Sequence, residues 1–484
     1  MNRSLVWFRS DLRTLDNSAL HHACLAGGDG GKDAAVIGLY VISPGDWKRH
    51  DTAPVRVDLI LRTLAVLSAD LAKLNIPLLI RTSATGAGVA KVVREVAVEF
   101  KAGAVFANRE YEINEAVRDA EAATMLKSAG KELRLYHDAA IIPPGEVLTK
   151  TGGPFTVFSP FKRAWMLILA ERTGGKVPAL MSRPKKQAMV AIKSDAVPSR
   201  VEGFESAVAP TLWLAGEHEA KSRLDEFVAK AIRGYKLKRN FPAIAGTSGL
   251  SPYLAAGIIS PRVCLGAAME ANGGAAEGGN EGIATWISEL IWREFYKHVL
   301  VAFPRVCMNR AFRVQTESIV WSRDEAHFEA WCAGKTGYPI VDAAQRQLLA
   351  TGWMHNRLRM ISSMFLTKDL LLDWRWGEKH FMRHLIDGDL AANNGGWQWS
   401  AGTGTDAAPY FRIFNPTTQS QRFDAEGDFI RKYVPELASL GAEDIHDPPP
   451  LARMRLNYPM PMVDHAAARL RALKAYKVEG PAEE

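Results

Sequence analysis

Residues 36–80 read VIGLYVISPGDWKRHDTAPVRVDLILRTLAVLSADLAKLNIPLLI, and this stretch decides the fold class. The apolar run at 36–42 reads as a buried strand. Val57, Ile60, Leu61, Leu64, Leu67, Leu71 and Leu74 then recur at helical spacing. A second apolar run at 77–80 closes a strand–helix–strand unit, the pattern of parallel strands joined by a crossover helix. Working outward, the runs at 5–8, 104–107 and 133–136 add three strands, and amphipathic stretches at 86–101 and 113–129 add helices. The first 140 residues therefore predict a doubly wound, Rossmann-like parallel sheet with helices on both faces. Such sheets bind ligands at the carboxyl ends of their strands.

Beyond residue 140 the alternation breaks, and PPG, TGGP, SRPKK and AVPSR mark a long connection holding one helix at 159–172. After residue 210 the strand signals fade, and helical periods follow at 217–233, 250–270, 282–303, 324–332, 340–371 and 376–387, with a last one at 464–478. The expected architecture is α/β followed by all-α. Its boundaries are a sheet domain at 1–138, an interdomain linker at 139–210 and a helical domain at 211–478. No internal repeat is visible.

The composition, 47% hydrophobic and 23% charged over 484 residues, excludes general disorder. No apolar run is long enough for a membrane span, and the amino terminus lacks a signal-peptide pattern. Cys24, Cys264, Cys307 and Cys332 are far apart, which fits a reducing, cytoplasmic setting and no zinc finger. The net charge of +7 hints at a polyanionic partner. Of the 13 tryptophans, Trp286, Trp292, Trp321, Trp331, Trp353, Trp374, Trp376, Trp397 and Trp399 crowd between 286 and 399.

Several motifs fail on inspection. Gly86-x-Gly88 lacks the third glycine of a dinucleotide fingerprint, and Gly334-Lys335-Thr336 has Glu329 where a phosphate loop needs glycine. His380 and His384 share a helical face without a third ligand, so no metal is expected. No GxSxG elbow occurs.

Four constellations carry chemistry. In SELIWREFY, 288–296, Glu289, Trp292, Arg293 and Tyr296 fall on one helical face. The aromatics suit stacking on a base, the carboxylate an imide and the guanidinium a phosphate. A half-buried, salt-bridged helix is the plainer reading of the same pattern. In TGWMHNRLRM, 351–360, Trp353, Asn356 and Met360 share a face. Asn356 offers donor and acceptor to a base edge, and polarizable Met360 packs on rings, while Arg357 and Arg359 project elsewhere. In DGDLAANNGGWQW, 387–399, glycines bracket small and polar residues, which allows close backbone approach to a ligand. In GTSGLSPY, 246–253, hydroxyls precede a helix near Pro252, serving equally as a phosphate cradle or as ordinary capping. Just upstream, Arg233, Lys236, Lys238 and Arg239 interleave with Tyr235 and Phe241, as in a DNA-backbone contact.

Together these residues resemble the class I cyclobutane pyrimidine dimer photolyases of the photolyase/cryptochrome family. The resemblance runs end to end, through LVWFRSDLR at 5–13 with DN at 16–17, GTSGLSPYLAAG at 246–257 and ELIWREFY at 289–296. It continues through GKTGYPIVDAAQRQLLATGWMHNRLRM at 334–360, DGDLAANNGGWQW at 387–399 and FNPTTQ at 414–419. It implies an antenna-binding sheet domain and a helical domain holding FAD in a U shape. Tyr235, Thr247, Ser248, Gly249, Leu250 and Ser251 would hold the phosphates. Trp286, Glu289, Arg359, Asp387, Gly388 and Asp389 would line the cofactor, and Asn393 would face flavin N5.

The implied activity is light-driven repair: excited, reduced FAD passes an electron to a dimer flipped out of DNA, and the cyclobutane ring opens. Flipping a damaged, weakly stacked pair costs less than flipping a normal one. Glu289, Trp292, Asn356, Met360 and Trp399 would face the dimer, with Asn393 at the flavin as a further catalytic residue. Arg239, Glu289, Trp292, Arg293, Tyr296, Asn356, Arg357 and Gln419 would contact DNA, duplex or single-stranded. Trp397, Trp374 and Trp321 match the family's electron relay. His50, Asn114, Glu115 and Cys307 match the antenna contacts for 5,10-methenyltetrahydrofolate. Met308 replaces the family's basic residue there, which keeps a deazaflavin open as the alternative. Gly249 stands where close relatives carry Arg. A monomer, associated with the nucleoid only through DNA, is expected.

Two rivals are weaker. A (6-4) photolyase would place histidines where Asn356 and Met360 stand, because its chemistry needs proton transfer. A cryptochrome photoreceptor without repair activity is the alternative of a different class, against which the Glu289/Trp292/Asn356/Met360/Trp399 set argues.

Overall fold

Five strands, β1 (Arg3–Phe8), β2 (Ala35–Ile42), β3 (Leu78–Thr82), β4 (Ala102–Asn108) and β5 (Glu132–Tyr136), form one parallel sheet in the order β3-β2-β1-β4-β5. The structure is a computed structural model that describes residues 3–26 and 35–477; the parts of the expected domains at 1–2, 27–34 and 478 lie outside the described residues. All five strands are where apolar runs predict them, with individual ends shifted by no more than two residues. β1 and β2 are buried almost throughout, as strands covered on both faces must be. On one face Leu5, Trp7, Ile37, Leu39, Leu79 and Val105 pack with Val89, Val93, Ala122 and Leu126 of the helices Gly86–Glu99 and Ile113–Ser128. Every residue of the expected stripe on the helix Pro54–Lys73 is buried except Leu74, its C-cap.

The strand order reverses at β1, so the crevice between the ends of β1 and β4 is a switch point. The motif that follows β1 knits this point together. Asn108 Nδ2 donates to Asp11 Oδ2 (2.6 Å), and Ser10 Oγ donates to Glu110 Oε1 (2.6 Å). Trp7 lies under two guanidiniums, Arg9 at 4.6 Å and Arg118 at 4.8 Å, which pair with Asp119 and Glu110.

The chain divides into two compact units. The first contains the described residues up to Phe155, together with Ser159–Arg233 and Ser248–Ala302. The second contains Thr156–Phe158, Gly234–Thr247 and the described residues from Phe303 onward. The helices Glu217–Lys230, Pro261–Ala271 and Glu281–Ala302 therefore cluster with the sheet. The first unit carries a buried ionic knot in which Arg13 meets Asp138 (2.5 Å) and Arg262 meets Asp16 and Asp138 (2.8 Å each).

The connecting segment is pinned rather than loose. Gln187 uses its amide to accept from Val36 N (2.8 Å) and donate to Val36 O (3.0 Å). Further along, Asp195 N donates to Leu78 O (3.0 Å), while its carboxylate accepts from Ile80 N (2.9 Å) and pairs with Arg81.

Two helical expectations need correction, and one segment with no expected element is a helix. The period at 250–270 is two helices, Ser251–Ala255 and Pro261–Ala271, because Gly257 turns left-handed (φ 62°) and Ser260 caps a new start. The period at 340–371 breaks into Pro339–Thr351 and Asn356–Met364, because Gly352 adopts φ 68° and His355 caps the next helix. The segment 387–399 contains a full helix, Leu390–Ala401, despite its central Gly395-Gly396. Asp389 accepts from Ala392 N (3.1 Å) at its start and left-handed Gly402 ends it, offsetting the glycine cost. Among the described residues no helix is long and apolar enough to cross a membrane.

Candidate functional site

In the first unit, the helix Glu281–Ala302 places Trp286, Glu289 and Trp292 at three-residue steps, so they follow one another up one side. Trp286 is buried 5.2 Å from the Phe227 ring, while Glu289 and Trp292 are half-buried. The Trp292 ring lies 5.6 Å from Phe295 and 5.7 Å from Tyr296. Arg293 turns away from this row. Its guanidinium donates to Ala139 O (2.6 Å) and Leu254 O (3.2 Å), so the hydrogen bonds of this expected DNA contact stay within the unit. Next to it, Glu294 accepts from Trp165 Nε1 (2.7 Å) and the Ile141 and Ile142 amides, and burial pushes its carboxyl upward.

The segment Ser248–Ser251 also lies in the first unit. Gly249 adopts φ 60°, a region that favours glycine, and Ser248 Oγ accepts from Leu250 N at 3.4 Å. Leu250 buries its side chain and so offers a ligand only its backbone. Tyr253 anchors the turn by donating to Leu214 O (2.8 Å).

Three of the four expected antenna residues meet in the first unit. Asn114 Nδ2 lies 3.0 Å from His50 Nε2, and His50 Nδ1 lies 3.3 Å from Glu115 Oε1. Burial, then Glu112 and Glu110, push the Glu115 carboxyl up to about 8, and burial pushes the His50 imidazole down. Near neutrality both groups are therefore uncharged, and their contact is a hydrogen bond rather than an ion pair. His50 follows β2, and Asn114 and Glu115 open the helix that follows β4, which puts the trio at the carboxyl ends of the strands. Cys307 belongs to the second unit, half-buried beside exposed Met308.

In the second unit, the helices Asn356–Met364 and Leu390–Ala401 are joined by Ser363 Oγ and Ser400 Oγ at 2.7 Å. Half-buried Met360 and Trp399 pack against the same core, and Asn356 stands exposed one turn before Met360. Arg359 donates from one nitrogen to both carboxylate oxygens of Asp387 (2.7 and 3.0 Å), which is 7% exposed, and from Nε to Met354 O. Asn393 Nδ2 donates to Glu378 O (3.0 Å), which fixes the amide and leaves Oδ1 as an acceptor. Asn394 donates to the Glu378 carboxylate (2.9 Å), so Glu378 holds both asparagines.

Trp374 and Trp397 are buried in that core, and Trp321 is half-buried at its margin. The Trp397 indole N–H has no hydrogen-bond partner among the described residues, and Phe381 and Trp331 stand edge-on to its ring at 4.9 and 6.0 Å. A Cβ at Gly377 would run into this ring. Ser322 N donates to Leu371 O (2.7 Å), which brings the segment after Trp321 alongside the one before Trp374.

The second unit also gathers cations. Arg357 Nη2 donates to Asn240 Oδ1 (2.8 Å), and its guanidinium lies 4.5 Å from the Phe423 ring. Burial, then Arg239, Arg422 and Arg412, hold the Arg357 guanidinium down to about 10. Arg239 lies 5.5 Å from the Tyr235 ring, Arg422 lies 5.2 Å from Phe423 and Arg412 lies 6.0 Å from Trp399. Gln419 shares the Phe423 face of the helix Pro416–Phe423. His355 caps through Nδ1, accepting from Arg357 N (3.2 Å), and burial beside the arginines pushes it down to about 4, so it stays neutral.

Sequence reasoning reached Arg239, Arg357 and Gln419 but missed Arg412, Arg422, Asn240 and the capping His355. The exposed aromatics of PYFR at 409–412 were the available signal for Arg412. Crowded guanidiniums on aromatic faces make a surface suited to phosphate and stacked bases.

Residues 4–181 match the family model described as DNA photolyase, and residues 286–478 match the one described as FAD binding domain of DNA photolyase. The deoxyribodipyrimidine photo-lyase of Escherichia coli is 44% identical over 485 residues, covering 99% of each chain. That of Vibrio cholerae is 45% identical over 478 residues, covering 98% of this chain and 99% of its own. Among solved structures, a bacterial class III photolyase from Agrobacterium tumefaciens superposes with a TM-score of 0.84 at 36% identity, covering 98% of this chain and 97% of its own. A Synechocystis cryptochrome reaches the same TM-score at 27% identity, covering 98% of this chain and 99% of its own.

Proposed function

The chain belongs to the DNA photolyase family, and from that premise we propose that it is a class I deoxyribodipyrimidine photo-lyase, splitting cyclobutane pyrimidine dimers in damaged DNA under blue light. The observation that carries this reading is the full-length identity of 44–45% to relatives named for that activity. The Synechocystis cryptochrome is similar at 27% identity, well below the relatives named for repair, and Asn356 and Met360 argue against the (6-4) chemistry.

The donor set suits a flavin dinucleotide. Ser248 and Ser251 with the left-handed turn at Gly249 offer hydroxyls and backbone to phosphate. Asn393 Oδ1, left over after Nδ2 is committed to Glu378, offers an acceptor to a flavin N–H, and Arg359 holds the Asp387 carboxylate in one orientation. Tyr235, Thr247, Leu250, Trp286, Gly388 and Asp389 complete the proposed holding set. Bound, reduced and excited, FAD supplies the electron that opens the cyclobutane ring.

The chain's own residues do the rest. Arg239, Arg357, Tyr296 and Gln419 engage DNA, and the guanidinium crowding around Arg357 is relieved by phosphate. Trp292 and Trp399 give apolar faces to a flipped dimer, Met360 packs on its rings, and Glu289 and Asn356 hydrogen-bond the base edges. Trp397, Trp374 and Trp321 form the relay that recharges the enzyme. Trp397 and Trp374 are buried, while part-exposed Trp321 can release a proton to water once oxidised. The domain scheme 1–138, 139–210 and 211–478 and an antenna folate on His50, Asn114, Glu115 and Cys307 belong to the same proposal, a deazaflavin being the alternative ligand. So do a monomeric state and a cytoplasmic location.

The test is direct. Reduced protein is illuminated with blue light in the presence of DNA containing a cyclobutane thymine dimer. Absorbance from restored thymines should rise, and a flat trace means the repair reading is wrong.

A further inference from the structure

In the first unit the guanidinium of Arg223 lies over the backbone of Gly249. A Cβ at Gly249 would be 2.9 Å from Arg223 Nη1, so with glycine at 249 the guanidinium reaches the turn without having to shift. Arg223 projects from the helix Glu217–Lys230, and its Cζ lies 5.5 Å from the Trp213 ring and 5.6 Å from the Tyr253 ring. Two aromatic faces thus hold the group in place, and Tyr253 is itself tied to Leu214 O. Among the described residues, Arg223 forms no ion pair with a carboxylate. A half-buried guanidinium positioned by rings and left without an anion, beside a left-handed turn flanked by Ser248 and Ser251, has the chemistry of a phosphate arm.

We propose that Arg223 is a cofactor-binding residue that neutralises the pyrophosphate of FAD over the Ser248–Ser251 turn, in the space that glycine at 249 leaves open. This assignment rests on the flavin reading above. The planar fork can meet two phosphate oxygens at once, which neither hydroxyl nor backbone N–H can do while supplying positive charge. The helix Glu217–Lys230 thereby becomes part of the cofactor site, although its sequence carries no phosphate motif.

The full-length chain, stripped of flavin, is titrated with FAD by flavin fluorescence at several salt concentrations. Arg223→Gln retains a stem between the rings and removes the charge. Its FAD Kd should rise roughly tenfold, and the dependence of Kd on salt should weaken, with the melting midpoint of the flavin-free chain unchanged. Arg223→Lys, which restores a point charge, should recover part of the affinity. A Gln variant with the parent Kd and salt dependence overturns the assignment. A Gln variant whose flavin-free midpoint falls, with Arg223→Met and Arg223→Lys binding FAD equally, makes Arg223 a packing residue and overturns it also. A parent chain that takes up no FAD overturns the flavin reading itself, before any substitution is made.

Discussion

Replacing Arg357 with methionine should separate DNA affinity from stability. In the folded chain this guanidinium gains a hydrogen bond to Asn240 at 2.8 Å and a stack on Phe423 at 4.5 Å, worth about 1 kcal/mol each. Against this, its Nε is buried without a partner among the described residues, which costs about 1–3 kcal/mol. Arg239, Arg422 and Arg412 also repel it. The terms nearly cancel, so Arg357→Met should leave the stability of the DNA-free chain within about 1 kcal/mol of the parent. Breaking a buried pair such as Arg262 with Asp16 and Asp138 would cost about 3–5 kcal/mol.

Binding should respond differently. If the guanidiniums of Arg239, Arg357, Arg412 and Arg422 each displace one counterion, log affinity falls against log salt with a slope of about −3.6. From 50 to 200 mM salt the parent then loses roughly 150-fold in affinity and the variant, with a slope of about −2.7, roughly 40-fold. Fluorescence anisotropy on a dimer-containing duplex measures the slopes, and urea unfolding measures the stability. An unchanged slope, or a stability loss near 3 kcal/mol, would refute the reasoning, because Arg357 would then be a structural residue.

Other outcomes follow from the geometry. Trp397→Phe should slow photoreduction of oxidised FAD while sparing repair by chemically reduced enzyme; equal photoreduction in both would remove Trp397 from the relay. Gly377→Ala pushes a methyl into the Trp397 ring and should cost about 1–3 kcal/mol in chemical denaturation. The folded Glu115 carboxyl is raised to about 8 from 4.5, so it binds its proton more tightly than the unfolded chain does. Its contribution is full below 4.5 and lost as pH rises to about 8. Glu115→Gln should accordingly match the parent in melting midpoint near pH 4.5 and exceed it near pH 9, and parallel profiles would contradict the placement.

The sheet was legible because its strands are continuous apolar runs and its helices keep their stripe: Val57 to Leu71 are buried as spaced. The helix Leu390–Ala401 was not, since Gly395-Gly396 argues locally for a turn and only capping and packing override it. The break at 352–355 hid because histidine is an unusual cap. Within the candidate site, Trp286 came only with the family resemblance, while the shared face of Glu289 and Trp292 and that of Asn356 and Met360 could be read from spacing. Arg293 could not, because its carbonyl partners at Ala139 and Leu254 lie 154 and 39 residues away. Arg223 escaped for the same reason, its meaning set by an absent side chain at Gly249.

The pinned connecting segment bears on how the sheet is protected at its edge. β3 lies at the border of the sheet, where bare N–H and C=O groups invite pairing with another molecule. Ser194 and Asp195 occupy those groups at Leu78 and Ile80 without adding a strand. A stretch that contains neither helix nor strand is thereby the guard of the border against intermolecular pairing. Its contacts are to backbone groups of β2 and β3, so they exist only where those two strands are in place. Protease cleavage near Gln187 should consequently report the integrity of the sheet rather than looseness of the loop.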